Sequence, residues 1–237
     1  MIRFVLMDLD DTVFDFGKAE SVAIRKTLFS CLGREVEEKT VQLYRTINAA
    51  EWKRLERGEV TREVLKLVRF EKLFSALGVH VLPQKAQALY EQNLADADFF
   101  VEGALELLQE LSGRYLLYAV SNGNLSVQKN RIARAQIADY FRDIFISEEV
   151  GAVKPQVEFF DYCFSKIPNF RREEAIILGD SLTSDVQGGI NAGIHTCHFL
   201  RHPDEVSDKI VPDFQINKLS QFYEILNRLN QKCAKKP

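Results

Sequence analysis

Acidic residues carry the first chemical signal in this chain. Asp8, Asp10 and Asp11 stand together in the run Asp8-Leu9-Asp10-Asp11-Thr12, and Asp180 and Asp185 in Gly179-Asp180-Ser181-Leu182-Thr183-Ser184-Asp185. Two more polar groups are Ser121-Asn122-Gly123-Asn124 and Lys154-Pro155. Gathered in one crevice, these carboxylates repel one another, and a cation makes the arrangement tolerable. An oxygen-only ligand set favours Mg²⁺ over zinc or copper. Ser121 offers a hydroxyl, and the backbone N–H groups after it suit phosphate oxygens. Lys154 supplies a compact positive charge for a phosphoryl group. In such a site one carboxylate can attack phosphorus, while a second acid protonates the leaving oxygen and then activates water.

Convergence of residues so far apart in sequence requires a scaffold. Ile2–Met7 is a short, almost wholly apolar run, as expected of a strand buried on both faces of a parallel sheet. Similar runs recur at Tyr115–Val120, Ile144–Ser147, Ala175–Gly179 and Thr196–Leu200, and four of the five lead into the polar groups above. Helical patterns separate them at Glu102–Leu111, Leu125–Ile137, Val157–Ile167, Ser184–Ala192 and Asn217–Leu229, with Gly113 expected to cap the first of these. Strand alternating with helix predicts a doubly wound parallel α/β sheet, whose strand ends share one edge.

The stretch from Phe16 to Phe99 breaks the rhythm. It has no convincing strand but four helical patterns, Lys18–Leu32, Glu38–Leu55, Thr61–Leu77 and Gln84–Asp96. Thr61 is expected to cap the third, and Pro83 suits the start of the fourth. The predicted organisation is therefore a core of residues 1–15 and 101–237 interrupted by an all-helical cap at 16–100. An insert placed after a strand's carboxyl end is expected above the ligand crevice of such sheets.

Composition agrees with a globular domain. The 237 residues are 46% hydrophobic and 27% charged, and the formal net charge is −3. That balance points away from nucleic acid polymers and anionic membranes as partners. The basic tail Lys232, Lys235, Lys236 reads as a solvated end. Cys31, Cys163 and Cys197 read as small core residues, Cys233 lies in the tail, and the lack of Cys-x-x-Cys pairs suits a reducing cytoplasm. The apolar start, interrupted by Arg3 and Asp8, is too short for a signal peptide or span. His80, His195, His198 and His202 show no metal or triad pattern. No feature specifies an oligomeric state.

The set Asp8-x-Asp10-x-Thr12, Ser121-Asn122, Lys154-Pro155 and Gly179-Asp180…Asp185 resembles, in order, the four motifs of the haloacid dehalogenase (HAD) superfamily. The resemblance covers essentially the whole chain, including a helical cap between the first two motifs, and implies a Rossmann-like core. It implies Asp8 as nucleophile and Asp10 as general acid and base. It further implies Mg²⁺ held by Asp8, the Asp10 carbonyl and Asp180, with Asp185 orienting a metal-bound water or Lys154. Ser121, Asn122 and Lys154 would bind the phosphoryl group. Dehalogenases of the superfamily lack the second Asp, so Asp10 points to phosphoryl transfer.

A narrower likeness lies in Ile146-Ser147-Glu148-Glu149-Val150-Gly151, Gly188-Gly189-Ile190-Asn191-Ala192-Gly193 and Tyr44-Arg45-Thr46-Ile47-Asn48…Trp52. These runs are similar to pyrimidine 5′-nucleotidase-like members, which act on nucleoside monophosphates. The expected activity is a phosphomonoesterase of that kind. The alternatives are a phosphoglycolate or sugar phosphate phosphatase, a phosphomutase, or a non-catalytic nucleotide-binding module. Phe14, Phe16, Tyr44, Asn48 and Trp52 are the candidates for substrate specificity. For the aromatic residues Tyr44, Trp52, Phe70 and Tyr90, core packing is the competing expectation. Arg45 and Arg57 could reach an anionic substrate, with a solvated surface position as the competing expectation; Asp11 is open as a turn residue, and Asp185 has a helix cap as its structural alternative. The Gly188-Gly189 pair is expected to serve close helix packing.

Overall fold

A computed structural model describes residues 1–201 and 209–234. His202, Lys235 and Lys236 lie outside the described residues. The chain divides into two compact units, residues 1–15 with 99–237, and residues 16–98.

The first unit is built on six parallel strands. They are β1 (Phe4–Met7), β2 (Leu116–Ser121), β3 (Asp143–Ile146), β4 (Ala175–Gly179), β5 (His195–Phe199) and β6 (Phe214–Ile216), in the spatial order β3-β2-β1-β4-β5-β6. Alternation along β1 explains why both faces are apolar. Val5 and Met7 join a cluster with Leu107, Leu108, Ile132, Phe222 and Leu226. Phe4 and Leu6 join the opposite cluster with Phe159, Phe160, Cys163 and Ala192. The helices supplying the first face are α5 (Ala104–Ser112), α6 (Leu125–Ala135) and α10 (Gln221–Ala234). Those on the second are α8 (Val157–Lys166) and α9 (Gln187–Ala192). The sheet is therefore doubly wound, as the sequence predicts.

The glycine pair at the start of α9 permits its seating. A Cβ on Gly188 would lie 2.6 Å from the Phe160 ring, and one on Gly189 the same distance from Ile177 and Thr196. Strand order reverses direction at β1, with β2 on one side and β4 on the other. That switch point opens the crevice at which ligands bind in such sheets.

The second unit consists of α1 (Phe16–Leu32), α2 (Glu38–Glu56), α3 (Arg62–Leu77) and α4 (Pro83–Ala95). Helix α1 packs on α4, and α2 on α3. Thr61 caps α3 through the Val64 N–H at 3.4 Å, and Gly78 ends it in the left-handed conformation. Tyr44, Phe70 and Tyr90 are buried, with ring centroids 5.4–5.8 Å apart. Trp52 is half-buried, under the Arg62 guanidinium at 5.5 Å.

Several sequence-based boundaries shift. β1 starts at Phe4 rather than Ile2, and the helix expected from Ser184 begins as a wide π-type turn, Leu182–Val186, before α9. Gly113 does cap α5, but in a right-handed conformation that any residue adopts. The sixth strand was not expected, because three residues leave too short a period-two pattern. Cys163 and Cys197 are buried, whereas Cys31 is partly exposed near the end of α1.

Candidate active site

The first strand delivers Asp8 to the switch point. Its N–H bonds the Leu178 carbonyl at 2.9 Å, extending the β1–β4 ladder by one residue. Lys154 comes from the loop after the short helix α7 (Ser147–Val150). Its ammonium bonds Asp8 Oδ1 at 2.6 Å, Asp185 Oδ1 at 2.6 Å and the Val120 carbonyl at 2.9 Å. All three charged side chains are buried. Burial pulls the Lys154 ammonium toward neutrality, but Asp185 and Asp8 outweigh it and hold the amine charged. Burial also pushes the Asp8 carboxyl well above the usual carboxylate range. Lys154 opposes that rise and Asp185 adds to it.

Gly179 makes this approach possible. A Cβ there would lie 2.2 Å from Asp185 Cγ. Asp185 Oδ2 also accepts from the Ser181 N–H at 3.1 Å, so both of its oxygens are engaged. The cap of the following turn is Ser181, whose hydroxyl accepts from the Ser184 N–H at 3.2 Å, and not Asp185.

Asn122 pins the lysine loop from both sides. Its Oδ1 accepts from the Lys154 N–H at 2.8 Å, and its Nδ2 donates to the Lys154 carbonyl at 2.9 Å and to Ser184 Oγ at 3.3 Å. Ser121, at the end of β2, is buried, and its Oγ accepts from the Gly123 N–H at 3.0 Å and from Gln128 Nε2 at 2.9 Å. Asp10 is partly exposed and is ion-paired with the buried Arg131, while its Oδ2 accepts from Gln128 Nε2 at 2.8 Å. Asp8, Asp180 and Asp185 offer carboxylate oxygens within 4.8 Å of one another, an all-oxygen set fitting a hard divalent cation. His198 Nε2 lies 2.8 Å from the Asp180 carbonyl, so the register Gly179↔His198 lets this buried ring hold the Asp180 main chain.

Asp11 takes a left-handed conformation, φ 60°, which aspartate tolerates better than most residues. Its N–H closes a turn on the Phe14 carbonyl at 2.7 Å. Its carboxylate pairs with Arg201, which also reaches Asp15 at 3.4 Å. Beyond the turn, Val13 and Asp15 pair with Val101 and Phe99 through backbone bonds of 2.9 and 2.8 Å. The two connections to the helical unit therefore leave the sheet side by side.

Among the specificity candidates, Phe14 is buried against Phe100, with ring centroids 5.6 Å apart. Tyr44 is enclosed by Phe70 and Tyr90, and Asn48 is bonded to Glu20 at 2.7 Å and Arg69 at 2.8 Å inside the helical unit. Phe16 and Trp52 are half-buried. Arg45 lies 3.4 Å from Glu20 and bonds the Gly17 carbonyl, so it is held within the helical unit, whereas Arg57 is exposed, as expected, and pairs with the exposed Glu59. Gln128, Arg131, His198 and Arg201 are site residues that the sequence reading did not single out. Gln128 and Arg131 carried a usable signal, being polar residues three apart on the apolar face of a helix that starts just past Ser121.

The fold and site together are a doubly wound parallel sheet with several acids and a buried lysine at its switch point. The profile of the family described as "Haloacid dehalogenase-like hydrolase" matches residues 5–199, and the chain belongs to that family. It is 36% identical to the HAD-hydrolase YfnB of Bacillus subtilis over 225 residues, covering 95% of each chain. A solved, magnesium-bound structure of YfnB superposes with a TM-score of 0.91 at 34% identity, covering 95% of this chain and 99% of that one. The pyrimidine 5′-nucleotidase PynA of Streptococcus pneumoniae is 33% identical, covering 95% of each chain. The pyrimidine 5′-nucleotidase YjjG of Escherichia coli is 30% identical, covering 94% of this chain and 97% of its own. This protein is accordingly a hydrolase, and no helix among the described residues is long and apolar enough to cross a membrane.

Proposed function

We propose that this hydrolase is a Mg²⁺-dependent phosphomonoesterase working through an aspartyl phosphate on Asp8, with pyrimidine nucleoside monophosphates as substrates. The observation that carries the reading is the buried set Asp8–Lys154–Asp185, with a second acid, Asp10, two residues along the same loop. Asp8 Oδ1 is held by Lys154, so the carboxylate is presented in one orientation. Attack forms the Asp8–phosphorus bond as the ester oxygen leaves, and Asp10 gives that oxygen its proton. Asp10 then takes a proton from water as water attacks phosphorus and the Asp8–phosphorus bond breaks. Ser121 and Lys154 provide the donor and the charge for the phosphoryl oxygens. Asp8, Asp180 and the Asp10 carbonyl would hold Mg²⁺, with Asp185 alongside, and the ion would offset the charge of carboxylates and phosphate.

The substrate class rests on the two relatives named as pyrimidine 5′-nucleotidases. The helical unit, acting as a cap, would supply the base contacts, with Phe16 and Trp52 as the candidates that retain surface. Free thiols at Cys31, Cys163 and Cys197 suit a reducing cytoplasm. Initial rates with Mg²⁺ on UMP, dUMP, dTMP, AMP, phosphoglycolate and hexose phosphates test the reading. A pyrimidine preference, abolished by Asp8→Asn, is expected. Preference for phosphoglycolate or a hexose phosphate would replace the nucleotidase by a small-metabolite phosphatase, and no turnover on any ester would overturn the phosphatase reading.

A further inference from the structure

The helix after Ser121 carries two buried polar residues that the chemistry above leaves unused. Helix α6 starts at Leu125, with the Asn124 side chain accepting from the Val127 N–H at 3.2 Å. Gln128 and Arg131 stand three residues apart, hence on one face, and both are buried. A wholly buried guanidinium is costly unless it is paired. Arg131 is paired with Asp10 Oδ1, bonds Gln128 Oε1 at 3.2 Å and lies 4.4 Å above the Phe14 ring. The Gln128 amide donates both to Asp10 Oδ2 at 2.8 Å and to Ser121 Oγ at 2.9 Å. The neighbouring glycine makes room for that amide, since a Cβ on Gly123 would lie 2.6 Å from Gln128 Nε2.

We propose that Gln128 and Arg131 are positioning residues that lock the proton-transferring Asp10 to the phosphate-binding Ser121. The inference rests on the phosphatase reading. Arg131 occupies one carboxyl oxygen of Asp10. That leaves Oδ2, which accepts only the Gln128 bond among the described contacts, to carry the proton for the leaving group. The same amide, with the Gly123 N–H, fills the acceptor positions of Ser121 Oγ, so the Ser121 hydrogen is the group left to donate to a phosphoryl oxygen. One glutamine thus sets the distance between the proton donor for the leaving oxygen and the donor for the phosphoryl group.

The test compares two esters under Mg²⁺. Loss of a positioned acid matters most when the leaving oxygen is a poor leaving group. Gln128→Ala and Arg131→Met are expected to lower kcat on an alkyl phosphate about tenfold to a hundredfold more than on p-nitrophenyl phosphate, with KM changed less than kcat. Arg131→Lys is expected to recover part of the loss. In an Asp10→Asn background, Gln128→Ala is expected to add no further discrimination between the esters. Equal losses on both esters, or an undiminished effect of Gln128→Ala in that background, would overturn the inference. Should Arg131→Met fail to fold, the neutral Gln128→Ala decides alone. The wild type on the same esters separates the two levels. No turnover, or turnover indifferent to Asp8→Asn, sinks the phosphatase reading, whereas normal wild-type turnover with equal variant losses sinks only the positioning role.

Discussion

Adding one methyl group at Gly179 is expected to disable the site without touching any charged residue. A Cβ at this position would sit 2.2 Å from Asp185 Cγ, 2.3 Å from its Oδ2 and 2.6 Å from its Cβ. Ordinary contact begins at 3.4 Å, so the difference of 3.4 and 2.2 Å obliges Asp185 to move by about 1.2 Å. Gly179 ends a central strand paired on both sides, so the strand cannot yield instead. A shift of that size breaks the 2.6 Å bond to Lys154 and the 3.1 Å bond from Ser181. Overpacking of this kind costs about 1–3 kcal/mol, and each lost bond to a charged group adds about 1–2 kcal/mol. Misplacement of a catalytic constellation by about 1 Å costs on the order of a hundredfold in rate. Gly179→Ala is therefore expected to lose about 3–7 kcal/mol in urea unfolding followed by far-UV circular dichroism. Turnover of p-nitrophenyl phosphate should fall about a hundredfold. Far-UV detection matters because the single tryptophan, Trp52, lies in the helical unit and does not report on the sheet. Stability within about 0.5 kcal/mol of wild type together with full turnover would refute the packing argument.

Removing Lys154 should cost more in folding than in fit. Lys154→Met leaves two buried carboxylates facing each other and is expected to lose about 3–5 kcal/mol in chelator at neutral pH, read by chemical unfolding; a loss under about 1 kcal/mol would contradict it. Gly123→Ala, which crowds the Gln128 amide, is expected to lower turnover about tenfold with KM nearly unchanged, checked by steady-state kinetics. In the helical unit, Glu51 is buried, bonded to Arg54 at 2.8 Å and paired with Lys72. Burial alone would raise its carboxyl, but Lys72 and Arg54 prevail and hold it below the usual glutamate value of 4.5. A lowered carboxyl stabilises the fold above its unfolded value and loses that contribution as pH falls through its folded value. Glu51→Gln should thus cost about 1 kcal/mol at neutral pH, discounted because both cations are partly exposed. The cost should diminish as pH falls below the usual glutamate value of 4.5 and through the lowered folded value, as followed by Trp52 fluorescence melts.

Much of this architecture was legible because its signals are short-range. The two-sided burial of β1 appears as Phe4-Val5-Leu6-Met7, and the helical unit as four periodic stretches with Thr61 and Pro83 at their starts. Asp8, Lys154 and Asp185 could be nominated since strand ends of a parallel sheet meet at one edge. Polar groups acting through main-chain atoms were harder to read. Asn122, expected on the phosphoryl group, spends its amide on the backbone on either side of Lys154. His198 grips the Asp180 carbonyl, a partner without side-chain identity. Gln128 and Arg131 were not singled out, although they lie beside the apolar Val127 and Ile132 of α6 and are buried with them. Tyr44, for which core packing competed with a base contact, packs within the helical unit, and Asn48, a specificity candidate, spends its amide on Glu20 and Arg69 there. Phe214–Ile216 was too short to show a period at all.

Trapping the covalent intermediate tests the central claim most directly. Asp10→Asn enzyme, quenched in acid during turnover with Mg²⁺ of p-nitrophenyl phosphate, whose leaving group needs no acid, should accumulate one phosphoryl group per chain. Peptide mapping by mass spectrometry should place that group on Asp8, and Asp8→Asn should abolish it. A phosphoryl group on any other residue, or undiminished turnover by the Asp8→Asn chain, would contradict Asp8 as the nucleophile.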